Sequence, residues 1–181
     1  MSSDPITAPC RLDYYPAAHD SGTRSQREIK WVVLHSSEGS TAEGAARWFR
    51  NPASAGSAHL SVDDDHCYRS LSDETIPWAA PGANTGGIHI EQAGFAAWGS
   101  LGWLRHRRTL NRAAYKTATR CKKYGIPVRF VTAAGLRGGA SGITTHRECT
   151  AAFGGTHSDP GAFWPRRFFM RRVRRHYSRL T

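Results

Sequence analysis

The sequence contains no long apolar run. No stretch approaches the roughly 18 consecutive apolar residues of a membrane span. Residues 1–16 lack a basic segment followed by an apolar core, so the chain start does not read as a secretion signal. There is no internal repeat and no low-complexity linker, and nothing marks a second, separate wall-binding domain. Cysteine is scarce: Cys10, Cys67, Cys121 and Cys149 form no CxxC pair. That number allows up to two disulfides or four free thiols, and their spacing does not choose between these. Acidic residues are few, with 14 Asp and Glu against 25 Lys and Arg, which leaves a formal charge of +11. A surplus of this size draws polyanions. No zinc knuckle, RNA-binding aromatic motif or basic zipper accompanies it, so specific nucleic-acid binding is not expected.

What is present suits one soluble domain. A chain of 181 residues buries roughly 70% of its unfolded surface and needs no metal merely to fold. A metal site here would therefore serve chemistry. Residues 1–27 read as an irregular N-terminal extension and residues 28–181 as the functional domain. The apolar run 31–35 predicts a buried strand that ends in His35. Thr41 caps a helix that reaches Arg50 and stops at Asn51-Pro52. Residues 58–62 and 67–71 predict a hairpin around the turn 63–66, and 77–87 a loop. The alternation in 88–91 predicts a strand. A helix is expected over 111–124, with Gly125 and Pro127 at its stop, then a short strand over 128–131 and a loose segment over 133–142. Residues 165–178 read as a basic helix with proline in its first turn. Strands interleaved with helices predict an α/β fold with a mixed central β-sheet flanked by helices.

Three residues stand out as metal ligands: His35 at a strand end, His146 in Thr144-Thr145-His146-Arg147-Glu148, and Asp159 in His157-Ser158-Asp159-Pro160-Gly161. Catalytic zinc takes three ligands of this kind and keeps a fourth position open. Their spacing alone is weak evidence. Cys149, three residues after His146, is a rival ligand, although a buried or disulfide-bonded cysteine is the plainer reading.

The surrounding words carry more. Val-Val-Leu-His35-Ser-Ser-Glu-Gly, Ser57-Ala58-His59-Leu60, Ile76-Pro77-Trp78, Gly87-Ile88-His89-Ile90-Glu91, Thr145-His146-Arg147 and His157-Ser158-Asp159-Pro160-Gly161 occur in one order. Together, over about residues 29–165, they resemble the type 2 N-acetylmuramoyl-L-alanine amidases, a family that includes phage endolysin amidases and peptidoglycan recognition proteins. The resemblance implies one Zn2+ held by His35, His146 and Asp159. It also implies Glu91 as the proton-transfer carboxylate and His157 in place of a lysine that steadies developing negative charge. A tyrosine that some phage members carry falls on Ala58, which shifts that burden to Glu91. The implied substrate is bacterial peptidoglycan, with Trp78 and Asn84 flanking its groove; His59 and His89 alternate with apolar neighbours and read as structural or groove-lining, with His59 taken as the one that faces the substrate. An enzyme of this kind would be made in a host cytoplasm and act on the cell wall. The C-terminal arginines 166–167, 171–172 and 174–175 read either as a solvated helix face or as a contact with an anionic envelope. A non-catalytic peptidoglycan-binding module is the alternative function, and the presence of all three ligand positions argues against it.

Overall fold

The computed structural model describes residues 10–180. One six-stranded mixed sheet forms the centre, in the order β1-β4-β3-β5-β2-β6. Its strands are β1 (Leu12–Tyr14), β2 (Trp31–Ser36), β3 (Leu60–Val62), β4 (Cys67–Arg69), β5 (Gly87–Gln92) and β6 (Gly142–Thr145). Every pairing is parallel except the β3–β4 hairpin. The helices are α1 (Ala42–Arg50), α2 (Ser100–Arg105), α3 (Arg107–Tyr124), α4 (Ala133–Arg137), α5 (His146–Phe153) and α6 (Arg166–Tyr177). The expected α/β architecture with a mixed central sheet is what the chain adopts.

Successive strand residues face opposite sides of a sheet, and this alternation divides β2 and β5 by function. Val32 and Leu34, Ile88 and Ile90, and Ile143 of β6 join the main core. There they meet Leu110, Ala113, Ala114, Ala118 and Cys121 of α3 and Phe169, Met170 and Val173 of α6. Trp31 and Val33 point the other way, into a smaller core with Leu136 and Cys149. On that second face stand His35, His89 and Glu91. Burial on both sides explains why the 31–35 run is almost entirely apolar.

The hairpin turn does more than reverse the chain. Asp63 Oδ2 accepts a hydrogen bond from Ala42 N at 2.8 Å and so caps α1. Asp64 Oδ1 accepts from Thr109 N at 2.8 Å, while its Oδ2 lies 2.8 Å from His106 Nδ1. These bonds satisfy donors that a helix start leaves unpaired. They also let the long helix begin at Arg107, four residues before the position its apolar spacing suggests.

Several expectations need correction. The lead-in is not wholly irregular, because residues 12–14 pair with β4 as the sheet edge. Residues 128–131 form only one bridge, Phe130 to Ile143, instead of a strand. The segment 133–142 contains α4. A disulfide joins Cys10 to Cys67, and Cys121 and Cys149 are buried thiols. The expectation about a secretion signal falls in part on residues 1–9, which lie outside the described residues. Among the described residues no helix is long and apolar enough to cross a membrane.

The disulfide ties the edge strand to the sheet across 57 residues of sequence, and neither cysteine belongs to the cluster of candidate metal ligands. Closing a loop of that length is worth up to about 4 kcal/mol on the chain-entropy view. Cys10→Ser should therefore lower unfolding free energy in urea by about 2–4 kcal/mol while leaving metal binding intact. An unchanged urea midpoint would contradict this.

Candidate metal centre and active site

β2, β5 and β6 run parallel and adjacent, so their C-terminal ends open on the same side, where sites gather in α/β sheets. His35 and Glu91 are register partners at the ends of β2 and β5. β6 ends at Thr145, whose hydroxyl accepts from Glu148 N and starts α5. His146 is thereby the first residue of that helix and lies beside β2. Asp159 arrives from the loop between α5 and α6, where Arg147 N donates to its carbonyl at 2.8 Å. Gly161 follows with φ +93, and a Cβ there would collide with the Ala96 carbonyl. The Asp159-Pro160-Gly161 turn therefore admits only glycine at its last position.

The expected ligands converge. Donor atoms of His35, His146 and Asp159 all lie within 4.8 Å of one another. His35 Nδ1 and His146 Nδ1 are 3.1 Å apart. Asp159 Oδ2 is 3.2 Å from His35 Nδ1, and its Oδ1 is 2.9 Å from His146 Nδ1. Zinc bonds of roughly 2.0–2.2 Å in a tetrahedron put ligand atoms about 3.3 Å apart, close to these separations. Two buried carboxylate atoms, Glu91 Oε2 and Asp159 Oδ2, have no hydrogen-bond partner. Two imidazoles, one carboxylate and these orphaned oxygens suit a divalent cation such as zinc. Cys149 is buried in the core beside Trp31 and Val33 and is not part of this cluster.

The electrostatics follow from burial. Glu91 is pushed well above the ordinary carboxylate range, first by burial and then by Asp159 and Glu38. Burial alone would raise Asp159 too, but the adjoining imidazoles of His146 and His35 hold it well below its usual value. Burial lowers His35, partly offset by Asp159.

The cluster lines an open groove of about 880 Å³ together with Glu38, Trp48, Trp78, Asn84, Glu91 and His157, among others. His157 stacks on His146 with ring centroids 4.4 Å apart, and its Nδ1 is 3.8 Å from Asp159 Oδ1. Its side chain is 64% exposed, so it faces the groove from the rim. Trp78 lies in the wall, stacked on His19 and donating through Nε1 to Ser21 Oγ. Asn84 reaches the groove, and its Oδ1 accepts from Ala79 N and Ala80 N, so it also shapes the loop. His59 is the exception. It is fully buried, accepts from His89 N at 3.0 Å and faces Thr75 O at 3.1 Å, so it cannot touch a substrate. Its alternation with apolar neighbours placed it on a face that the sheet and Arg24 cover.

Three features had no sequence signal strong enough to mark them. Trp48 projects from α1 into the groove at 52% exposure. Glu38 holds φ 49, and its carboxylate accepts from Ser36 Oγ and Ala96 N. Arg24, from the lead-in, is buried and donates to the carbonyls of Asn84 and Thr85 at 2.7 Å each.

The profile of the N-acetylmuramoyl-L-alanine amidase family matches residues 25–162. No curated protein matches the sequence. Among solved structures, the hydrolase AmiA of Staphylococcus aureus, in complex with its ligand, superposes with a TM-score of 0.76 at 17% identity, covering 94% of this chain and 84% of that one. A selenomethionine derivative of AmpD gives 0.64 at 17% identity, over 96% and 99%. A mutant endolysin from Bacillus subtilis gives 0.60 at 18% identity, over 91% and 99%. At such identities the superpositions establish the shared fold.

Burial sets an acid limit on this layer. Burial first, and then Arg24, pushes His59 from 6.5 down to about 3. Between those values the unfolded chain binds the proton and the folded one does not, so stability falls as pH drops through that window. The loss is about 1.4 kcal/mol per pH unit for this group. Urea midpoints should drop between about pH 6.5 and about pH 4.5 by the equivalent of about 2 kcal/mol, and His59→Asn should remove that part of the slope. A variant that keeps the full slope would contradict the assignment. With the family profile covering most of the chain and His35, Glu91, His146 and Asp159 gathered at one groove, the protein belongs to the N-acetylmuramoyl-L-alanine amidase family.

Proposed function

We propose that this protein is a zinc-dependent amidase that hydrolyses the bond between the lactyl group of muramic acid and L-alanine in bacterial peptidoglycan, as the catalytic domain of a phage endolysin. The observation that carries the reading is the convergence of His35, His146 and Asp159 beside the Glu91 carboxylate in the wall of an open groove. The naming of one structural neighbour as an endolysin and another as a hydrolase is consistent with it.

Zinc, when bound, supplies a Lewis acid that polarises an amide carbonyl and acidifies water. His35, His146 and Asp159 would hold it. Glu91 is fixed by β5 with one oxygen 3.9 Å from His35 Nδ1 and the other unpartnered. From that position it takes the proton of the attacking water and returns it to the departing α-amino group of alanine. His157, at the rim, donates a hydrogen bond to the oxygen that gains charge as the carbonyl carbon becomes tetrahedral. Trp78 and Trp48 give the groove apolar surfaces for sugar or peptide, and Asn84 gives it polar edges.

Mass spectrometry of digested peptidoglycan provides the test. Stem peptides beginning with L-alanine should appear only without a zinc chelator. Glu91→Gln should lower their rate of appearance by about 10²–10⁴-fold while wall binding persists. Glycan fragments that keep their peptides would refute the bond assignment. Zinc-loaded protein that binds walls and releases nothing would favour the binding-module reading.

The charge belongs to the same picture. Arg166, Arg167, Arg171 and Arg174 are exposed on α6 and add attraction to an anionic envelope, supported by the overall charge of +11. Val173 and His176 of the same helix are buried, so removing the helix end would also damage the core. Replacing the four arginines by glutamine should release the protein from purified walls at lower salt, with cleavage of small soluble muropeptides unchanged. Equal retention would show that the arginines are only a solvated face.

A further inference from the structure

His89 takes no part in the chemistry above. Its side chain is fully buried and lies outside the groove, yet it touches the first proposed ligand. His35 Nε2 is 2.9 Å from His89 Nδ1, and His89 Nε2 is 3.4 Å from the carbonyl oxygen of Ala83. The polarity of this chain can be read from its end. A carbonyl oxygen only accepts, so His89 Nε2 carries the hydrogen. In the neutral ring Nδ1 then accepts, and His35 Nε2 must be the donor. That leaves the lone pair of His35 on Nδ1, the atom that faces His146 Nδ1 at 3.1 Å and Asp159 Oδ2 at 3.2 Å.

The surroundings are built to keep this arrangement. Gly87 sits one register step away, and a Cβ there would lie 2.6 Å from His89 Nε2 and 2.7 Å from Ala83 O, so only glycine leaves room for the pair. His89 N donates to His59 Nδ1 at 3.0 Å, which fixes the backbone of β5 from behind. Arg24 donates to the carbonyls of Asn84 and Thr85, the two residues after Ala83, and to Asp73 O, which anchors the loop presenting the acceptor.

We infer that His89 is a positioning residue for the metal centre: its imidazole, oriented by the Ala83 carbonyl, accepts from His35 Nε2 and so holds His35 in the tautomer and rotation that present Nδ1 to the ion. This rests on the zinc reading above. It extends that reading to a layer made of a second histidine and a loop carbonyl, where a carboxylate or a single carbonyl commonly does this work.

The test uses the whole protein, stripped of metal, with zinc titrated against a chromophoric chelator and the visible spectrum recorded for the cobalt(II) form. His89→Asn keeps an acceptor at the Nδ1 position; His89→Gln reaches toward Ala83 but offers none to His35; His89→Leu removes both. Leu and Gln should weaken zinc by about 10–100-fold and alter the cobalt bands, and Asn should recover most of the affinity with bands like the parent's. Melting of each metal-free protein reports folding, and if the Leu variant does not fold, the Asn and Gln pair still decides. Equal zinc affinity for Asn and Gln, or parental affinity for a folded Leu variant, would overturn the inference. If the parent itself binds no zinc, or binds it as well after His35→Ala, the zinc reading fails instead, and the two failures are distinct.

Discussion

The parallel pairing of β2 with β5, which sets His35 opposite Glu91, is the constraint from which the site follows. Side chains alternate along a strand, so a slip of either strand by one residue would turn its own site residue toward the α3–α6 core and put Leu34 or Ile90 in its place. The register is secured by the apolar residues between them. Val32, Leu34, Ile88 and Ile90 are completely buried on the helix side, and such a slip would take the slipped strand's pair out of that core. The chemistry on one face is thus held in place by hydrophobic burial on the other.

The same geometry concentrates polar groups where water is excluded. His35, His89, Glu91, His146 and Asp159 are all buried within one small region. Burying such groups is costly unless each finds a partner. The imidazoles find one another, Ala83 and Asp159, whereas two carboxylate oxygens find nothing. A cation between the three donors would offset that cost. The stability of this layer and its capacity for metal are then two aspects of one arrangement. The hairpin aspartates extend the pattern, because Asp63 and Asp64 each satisfy a helix start and fix α1 and α3 around the groove and core.

Much of this was legible in the sequence where the signal was local. The run ending in His35, the alternation of residues 88–91 and the hairpin around 63–66 follow from side-chain periodicity, which one- and two-residue shifts at their ends do not obscure. The six ordered motifs carried the ligand set further than spacing could. What escaped depends on distant partners. β1 is three residues long and exists because β4 offers an edge. β6 contains Thr144, whose hydroxyl is satisfied only by the Val131 carbonyl, so its burial has no apolar signature. α5 went unread: Thr145 caps it, but the Glu148 carboxylate turns away to Ala133 N at 2.7 Å. His59 was assigned to substrate because nothing in a sequence shows that Arg24 closes over it.

Zinc K-edge X-ray absorption on the purified protein reaches the central claim most directly. The account predicts one zinc per chain with only nitrogen and oxygen neighbours at about 2.0–2.2 Å, reduced in number by His146→Ala. A sulfur neighbour at about 2.3 Å would transfer a ligand position to Cys149, and a protein that retains no zinc would remove the metal centre from the account altogether.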